Sequence, residues 1–402
     1  MEFVSGKIKL RTIFLHRLNW LRFFLRYRSS IRKAIVINVL KLLICRTKYL
    51  GYQLYKCCTC GSLKKVPHSC KSRFCPSCGK RQTDAWVSNS FDSLPNTSWQ
   101  HITFTMPDKL WDLFWLNRSI MNDMPSIAAN IIKNMAEKQG ALPGIFLAIH
   151  TFGRQLTRNY HLHMSVTKGG LTIKDGYDSW TELFFHESPV KMEWRKQVIN
   201  HFRKLFDKGK LKLPKDLAYI QTDIDFRDWT DRFFKYKWHV DLAEPDDNFE
   251  KNVHYLGRYL KRPPIGETKI EEYDGNTVSF RFLDHNDKKK KLLKLPVVVF
   301  IARLVSHIHD QHFRCIRYYG FLSNRSRGKL LPVVHYLLEE KKNPAPSPPS
   351  YQSMYLKFFG KDPFKCDRCK ISMEFVGPIY TKKKSLIPWL QHISRGYYPL
   401  RE

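Results

Sequence analysis

The chain has 402 residues, and its 69 Lys and Arg outnumber 36 Asp and Glu to give a formal net charge of +33. That length predicts two or three compact units, and the charge far exceeds what solubility requires, which points to a polyanionic partner, nucleic acid first. The apolar runs at 34–45 and 295–305 are too short to span a bilayer and are broken by Lys41 and Arg303. Residues 1–9 lack the pattern of a secretory leader, so the expectation is a cytoplasmic, nucleoid-associated protein with no membrane partner.

In chain order, residues 8–50 repeat apolar positions at helical spacing, for example Leu18, Leu21 and Leu25, then Ile35, Val39 and Leu42. A metal module follows over 52–82, with a helix from about Asp84. Residues 101–107 alternate, placing Ile102, Phe104 and Met106 on one side of a strand. The spacing then predicts helix over 109–138 and strands over 145–151 and 161–167. A polar connection at 153–159 joins these strands, and Gly169-Gly170 closes the second. Helix is predicted around 194–206 and over 247–261, where Pro263-Pro264 stops it. A hairpin is predicted from 277–283 and the lysine run 288–291, with another helix over 297–309. The Pro-rich stretch 343–350 reads as an extended linker. The expected units are a helical, zinc-binding and DNA-binding segment 1–95, a central domain 96–340, the linker 341–352 and a small tail module 353–402.

Seven of ten cysteines fall within 45–78. Cys57-x-x-Cys60 and Cys75-x-x-Cys78 have the spacing by which two thiolate pairs close a tetrahedron around a structural Zn²⁺, with His68 and Cys70 as alternative ligands. Such a module presents Lys64, Lys65, Lys71, Arg73 and Arg81 to phosphates. Cys366-x-x-Cys369 is half a site by itself, so incidental pairing and metal ligation stay open. Arg317-Tyr318-Tyr319 suits an exposed platform for phosphate and base contact, with tertiary packing as the alternative.

His161-Leu162-His163 on an alternating strand turns both imidazoles to one face and Leu162 and Met164 to the other. Alone, an HxH is more often a pair of surface histidines than a metal site. In the predicted helix 249–260, Phe249, Val253, Leu256 and Leu260 form an apolar stripe, with Tyr255 and Tyr259 one turn apart on its flank. Alone, they read as core-edge tyrosines with wet hydroxyls. Together the two motifs suit metal-assisted phosphoryl transfer with a phenolate nucleophile.

His161-Leu-His163 followed by Tyr255-Leu-Gly-Arg-Tyr259 resembles the two-tyrosine HUH transposases of rolling-circle insertion sequences. So does the cysteine module with His68-Ser-Cys-Lys-Ser-Arg-Phe-Cys-Pro-Ser-Cys78, and so do Cys45-Arg-Thr47, His150-Thr-Phe-Gly153 and Arg317-Tyr-Tyr-Gly-Phe321. The resemblance runs from about residue 35 to 375. It implies an α+β fold with a ferredoxin-like HUH nuclease domain, whose antiparallel sheet carries the histidines and a catalytic Mg²⁺ or Mn²⁺. Tyr255 and Tyr259 would be the nucleophiles, giving a 5′-phosphotyrosine and a free 3′-hydroxyl on single-stranded DNA at element ends, then joining to target DNA. The third metal ligand is not given by the family pattern, since Tyr259 and Pro263 occupy the positions one turn after each tyrosine; His150 on a neighbouring strand is the expected one. Alternatives are a plasmid replication initiator or relaxase with the same chemistry, and a non-catalytic zinc-dependent DNA-binding regulator.

Overall fold

The computed structural model describes residues 8–174, 176–247, 263–284, 287–340 and 350–380. The helix expected over 247–261, with Tyr255 and Tyr259, lies outside the described residues, as do 343–349 of the Pro-rich stretch. Within the described residues the fold is α+β with antiparallel sheets, as expected.

Three short helices open the chain, α1 (Leu10–Leu15), α2 (Asn19–Tyr27) and α3 (Lys33–Ile44), followed by a hairpin of β1 (Tyr52–Lys56) and β2 (Leu63–Pro67). Helix α4 (Pro76–Ser93) begins earlier than the expected Asp84. Pro76 stands at its first turn, where a missing amide proton costs nothing and the fixed φ is already helical, so Cys78 lies on the helix.

The central region contains β3 (Trp99–Phe104), α5 (Trp111–Leu116), α6 (Met124–Glu137), β4 (Ala141–Phe152), β5 (Arg158–Thr172), β6 (Trp180–Glu182), α7 (Glu187–Asp207), α8 (Asp223–Asp231) and β7 (Val240–Leu242). The helix expected over 109–138 is therefore two helices, parted at Asn117. That side chain donates to Leu113 O and Lys212 O and accepts from the Lys212 amide. Beyond residue 262 come β8 (Ile270–Tyr273), β9 (Thr277–Leu283), β10 (Lys290–Pro296), α9 (Val297–Ser306), β11 (Ile316–Gly320), α10 (Arg327–Leu337), α11 (Tyr351–Phe359) and β12 (Glu374–Ile379).

The main sheet runs β11-β4-β5-β3-β7, with β6 added to β5. Gly169 and Gly170 do not close β5; they lie inside it. A Cβ on Gly169 would meet the Trp180 indole at 2.2 Å and one on Gly170 would meet Leu142 O at 2.6 Å, so the glycines permit close approach rather than a turn. Because successive side chains alternate, Ile102, Phe104, Ile145, Leu147, Ile149, Leu162, Met164 and Val166 enter one core with α6 and α7. On the opposite face, Trp99, Phe146 and Ala148 are covered by Trp86 of α4, Phe321 and residues of α10. The remaining end of that face carries the histidines.

A second core joins α1, α2 and α3 to β8, β9, β10 and α9, with Cys70, Phe74, Cys75 and Cys78 packed into it. The first 95 residues therefore do not close a core of their own. A small third sheet, β12-β1-β2, sets the tail of the chain against the N-terminal hairpin.

Phe300 is fully buried in that second core. Phe300→Ala is expected to cost about 3–5 kcal/mol and to lower the urea midpoint; an unchanged midpoint would show that the N-terminal helices are stable without α9.

Candidate active site and metal centres

Strands β4 and β5 pair with His150 directly opposite His161 and Ala148 opposite His163. The register places one ring nitrogen each of His150, His161 and His163 within 4.8 Å of one another. Ring centroids lie 5.2 Å apart for His150 and His161, 4.7 Å for His150 and His163, and 4.9 Å for His161 and His163. His150, expected on a neighbouring strand, stands there.

A fourth imidazole was not anticipated. His101 on β3 lies opposite Ser165, and its Nε2 is 3.1 Å from His163 Nδ1, while its Nδ1 is 3.4 Å from Ser165 Oγ. The signal was present in the alternation of 101–107, which turns His101 away from Ile102 and Phe104; what the sequence lacked was that β3 borders β5. His161 Nδ1 donates to Asn159 O at 3.0 Å, which fixes the tautomer and leaves Nε2 as the lone-pair donor.

Burial holds the His101, His161 and His163 rings neutral. Desolvation brings His161 down to about 4 against the opposing effect of its bond to Asn159 O, and brings His101 down to about 4. His163 is pushed further below the usual imidazole value by burial and by its neighbours His150, His161 and His101. Neutral imidazoles are the form that ligates a cation.

The four thiols expected around one ion, Cys57, Cys60, Cys75 and Cys78, do not meet. Cys75 and Cys78 stand with Cys45 and Cys70, whereas Cys57 and Cys60 face Cys366 and Cys369. The chain path explains the division: β1 and β2 carry the 57–60 turn away from α4, while the end of α3 delivers Cys45 to the base of α4. In the first group the Sγ separations are 3.7 Å for Cys45 and Cys78, 3.6 Å for Cys70 and Cys78, and 3.8 Å for Cys75 and Cys45. Four sulfurs about 2.3 Å from one zinc would stand ~3.8 Å apart, so the group fits a tetrahedral ion. Hydrogen bonding to Cys45 raises the Cys70 and Cys75 thiols above the ordinary value and lowers that of Cys78, so the four share their protons as one group. Of the two alternative ligands, Cys70 belongs to this group; His68 does not, its Nδ1 lying 3.0 Å from Leu50 O.

Among the basic residues, Lys65, Lys71 and Arg81 are exposed. Lys64 donates to Lys365 O at 2.9 Å and pairs with Asp367, Lys65 lies over the Tyr52 ring, and Arg73 contacts the Cys315 thiol. The platform at 317–319 is packed rather than exposed. Arg317 donates to Asn122 O and Oδ1, the Tyr318 hydroxyl accepts from Trp86 Nε1 at 3.0 Å, and Tyr319 lies against the main core. A groove of about 520 Å³ lies between the zinc module and the sheet, lined by Arg32, Lys33, Lys41, Arg73, Phe152 and His307. Phe152 stacks on His150 with centroids 5.5 Å apart, so the groove opens beside the histidine cluster.

These burials carry a pH dependence. His101, His161 and His307 sit near 4 in the folded chain, all because of desolvation, against about 6.5 when unfolded. Between those values the unfolded chain binds more protons, so stability falls as pH drops from about 6.5 toward 4 and is level above. The slope is at most about 1.4 kcal/mol per pH unit for each group. Urea midpoints taken from pH 7.5 to 5 without added divalent cation should decrease; a flat series would contradict neutral burial.

Comparison with known proteins places these features. The family described as "Transposase zinc-binding domain" matches residues 18–106, which include Cys45, Cys70, Cys75 and Cys78. The family described as "Putative transposase" matches residues 144–329, which include all three clustered histidines of β4 and β5. The chain is 37% identical over 355 residues to the transposase for insertion sequence element IS801 of Pseudomonas savastanoi pv. phaseolicola, covering 87% of this chain and 85% of that one. It is 30% identical over 340 residues to the "Putative transposase y4qJ" of Sinorhizobium fredii, covering 81% and 84%. No solved structure matches it significantly. Among the described residues no helix is long and apolar enough to cross a membrane. The chain belongs to the insertion-sequence transposases that join an N-terminal zinc-binding domain to a DNA-cleaving, strand-transferring domain, the family its motifs resemble.

Proposed function

We propose that this transposase nicks and rejoins single-stranded DNA at its element's ends through a 5′-phosphotyrosine, with Tyr255 and Tyr259 as nucleophiles and a catalytic divalent cation held by His150, His161 and His163. The observation that carries the reading is the convergence of three imidazoles from two adjacent strands on one spot. A cation there would draw charge from the scissile phosphate. The phenolate oxygen of one tyrosine would attack phosphorus, the bond to the 3′ oxygen would break, and that oxygen would leave as a 3′-hydroxyl after taking a proton. The ester keeps the bond energy, so the 3′-hydroxyl of a target strand would release the tyrosine without a nucleotide cofactor.

This chain's residues would do the rest. Asn159 O and His101 orient the His161 and His163 rings. Lys33, Lys41 and Arg73 along the groove, with Lys71 and Arg81 on the zinc module, would hold the DNA backbone. Lys64 and Arg317, engaged within the protein, would contribute less than the exposed Lys65. Between Mg²⁺ and Mn²⁺, an all-imidazole donor set favours Mn²⁺, since Mg²⁺ prefers oxygen ligands.

A labelled single-stranded oligonucleotide carrying the element's end is expected to become covalently attached to the protein with Mn²⁺, and less with Mg²⁺ at equal concentration. His163→Ala should lower adduct formation by about 100-fold or more, the scale of losing a supporting or direct metal contact. Tyr255→Phe/Tyr259→Phe should abolish it. An adduct that survives the double tyrosine substitution would refute the nucleophile assignment.

A further inference from the structure

We infer that Cys57, Cys60, Cys366 and Cys369 form a second, structural zinc site that ties the two ends of the chain together. The matched zinc-binding domain ends at residue 106, so it does not include the second pair. In sequence, Cys60 and Cys366 are separated by 306 positions, yet their sulfurs are 3.6 Å apart. One sulfur from each of the four residues lies within 4.8 Å of the others, again close to the ~3.8 Å edge of a tetrahedron of thiolates about 2.3 Å from zinc.

The backbone supplies an independent observation. Both pairs sit in the same turn. The Cys57 amide donates to Ser62 O at 2.9 Å and the Cys366 amide to Ile371 O at 2.8 Å. The Gly61 amide donates to Cys57 O at 2.9 Å and the Lys370 amide to Cys366 O at 3.0 Å. The residue after each second cysteine is left-handed, Gly61 at φ +70° and Lys370 at +60°. Each turn is closed by a matching pair, Lys56 opposite Leu63 and Lys365 opposite Ser372. Two equivalent knuckles facing each other present four sulfurs to one point.

The surrounding core is small. Tyr55, Cys57, Val66, Cys366 and Met373 are its buried members, with Tyr351, Phe364 and Cys369 packed around them. A core of that size needs a further restraint to hold a tail segment in place. A zinc ion between the knuckles would clamp β12 onto β1, whose ladder runs from Tyr52 opposite Ile379 to Lys56 opposite Glu374.

The inference is independent of the covalent chemistry, because metal content is read without DNA. Full-length protein purified under reducing conditions is expected to carry two equivalents of zinc by elemental analysis. Cys57→Ser/Cys60→Ser and Cys366→Ser/Cys369→Ser should each leave one equivalent, and the quadruple variant should also leave one, since both pairs serve the same ion. In limited proteolysis the tail of each variant should be released faster than in the parent, while the 96–340 region stays protected. One equivalent in the parent protein, two in either double variant, or disulfides among these four cysteines by non-reducing mass spectrometry would overturn the site. So would losses that add in the quadruple variant.

Discussion

Pairing of β4 with β5 in one register from Ile145 to His150 decides where His150, His161 and His163 meet. His150 faces His161 across the ladder, and Ile149 faces Leu162. Ile149, Leu162 and Met164 are wholly buried on the other side of the sheet, each contributing roughly 1.5–3 kcal/mol of apolar burial. A slip of one residue would exchange the faces, sending these side chains toward the histidines and the imidazoles into the main core. The hydrophobic core therefore enforces the geometry of the histidine cluster. The register shifts again just past His150, between His150 and Phe152, so the regular ladder ends where the basic groove begins.

The same burial sets the protonation of the cluster. Four imidazoles close together cannot all carry charge, and desolvation favours the neutral form of His101, His161 and His163. His101 belongs to this arrangement without being a member of the three-residue group. Its Nε2 contact with His163 Nδ1 suits a proton on His163 Nδ1 and a lone pair on Nε2. The hydrogen bond from His161 to Asn159 O makes the same selection from the opposite end of the motif. Two second-layer contacts thus prepare two rings to present the same kind of atom.

Much of this was legible because strand alternation has a fixed period. The side of β5 on which His161 and His163 stand follows from Leu162 and Met164 alone, and the neighbouring position of His150 follows from a short polar connection between two apolar runs. The partner of each cysteine pair was not legible. Two CxxC units close together in sequence invite a single tetrahedron, but spacing along the chain says nothing about a third pair far downstream or about a lone cysteine such as Cys45 at a helix end. Gly169-Gly170 misled for a related reason. Glycine marks either a turn or a close approach, and the Trp180 ring that requires the latter is brought by a different strand.

The cores follow the same interleaved pattern as the cysteines. Helices α1–α3 find their apolar partners in residues 265–308, and the first cysteine group is packed into that shared core. The β1–β2 hairpin finds its third strand at 374–379. A nascent chain consequently emerges with its N-terminal helices and hairpin uncovered until the downstream segments have been made, a situation of long-range contacts and late closure. Metal ligation compensates for that delay at two points of different reach. Cys45, Cys70, Cys75 and Cys78 lie close enough in sequence to gather early, whereas the pairs at 57–60 and 366–369 meet only after the long segment between them has been made. The ion that we assign between those pairs would therefore close the structure last, joining the tail to the module with which the chain began.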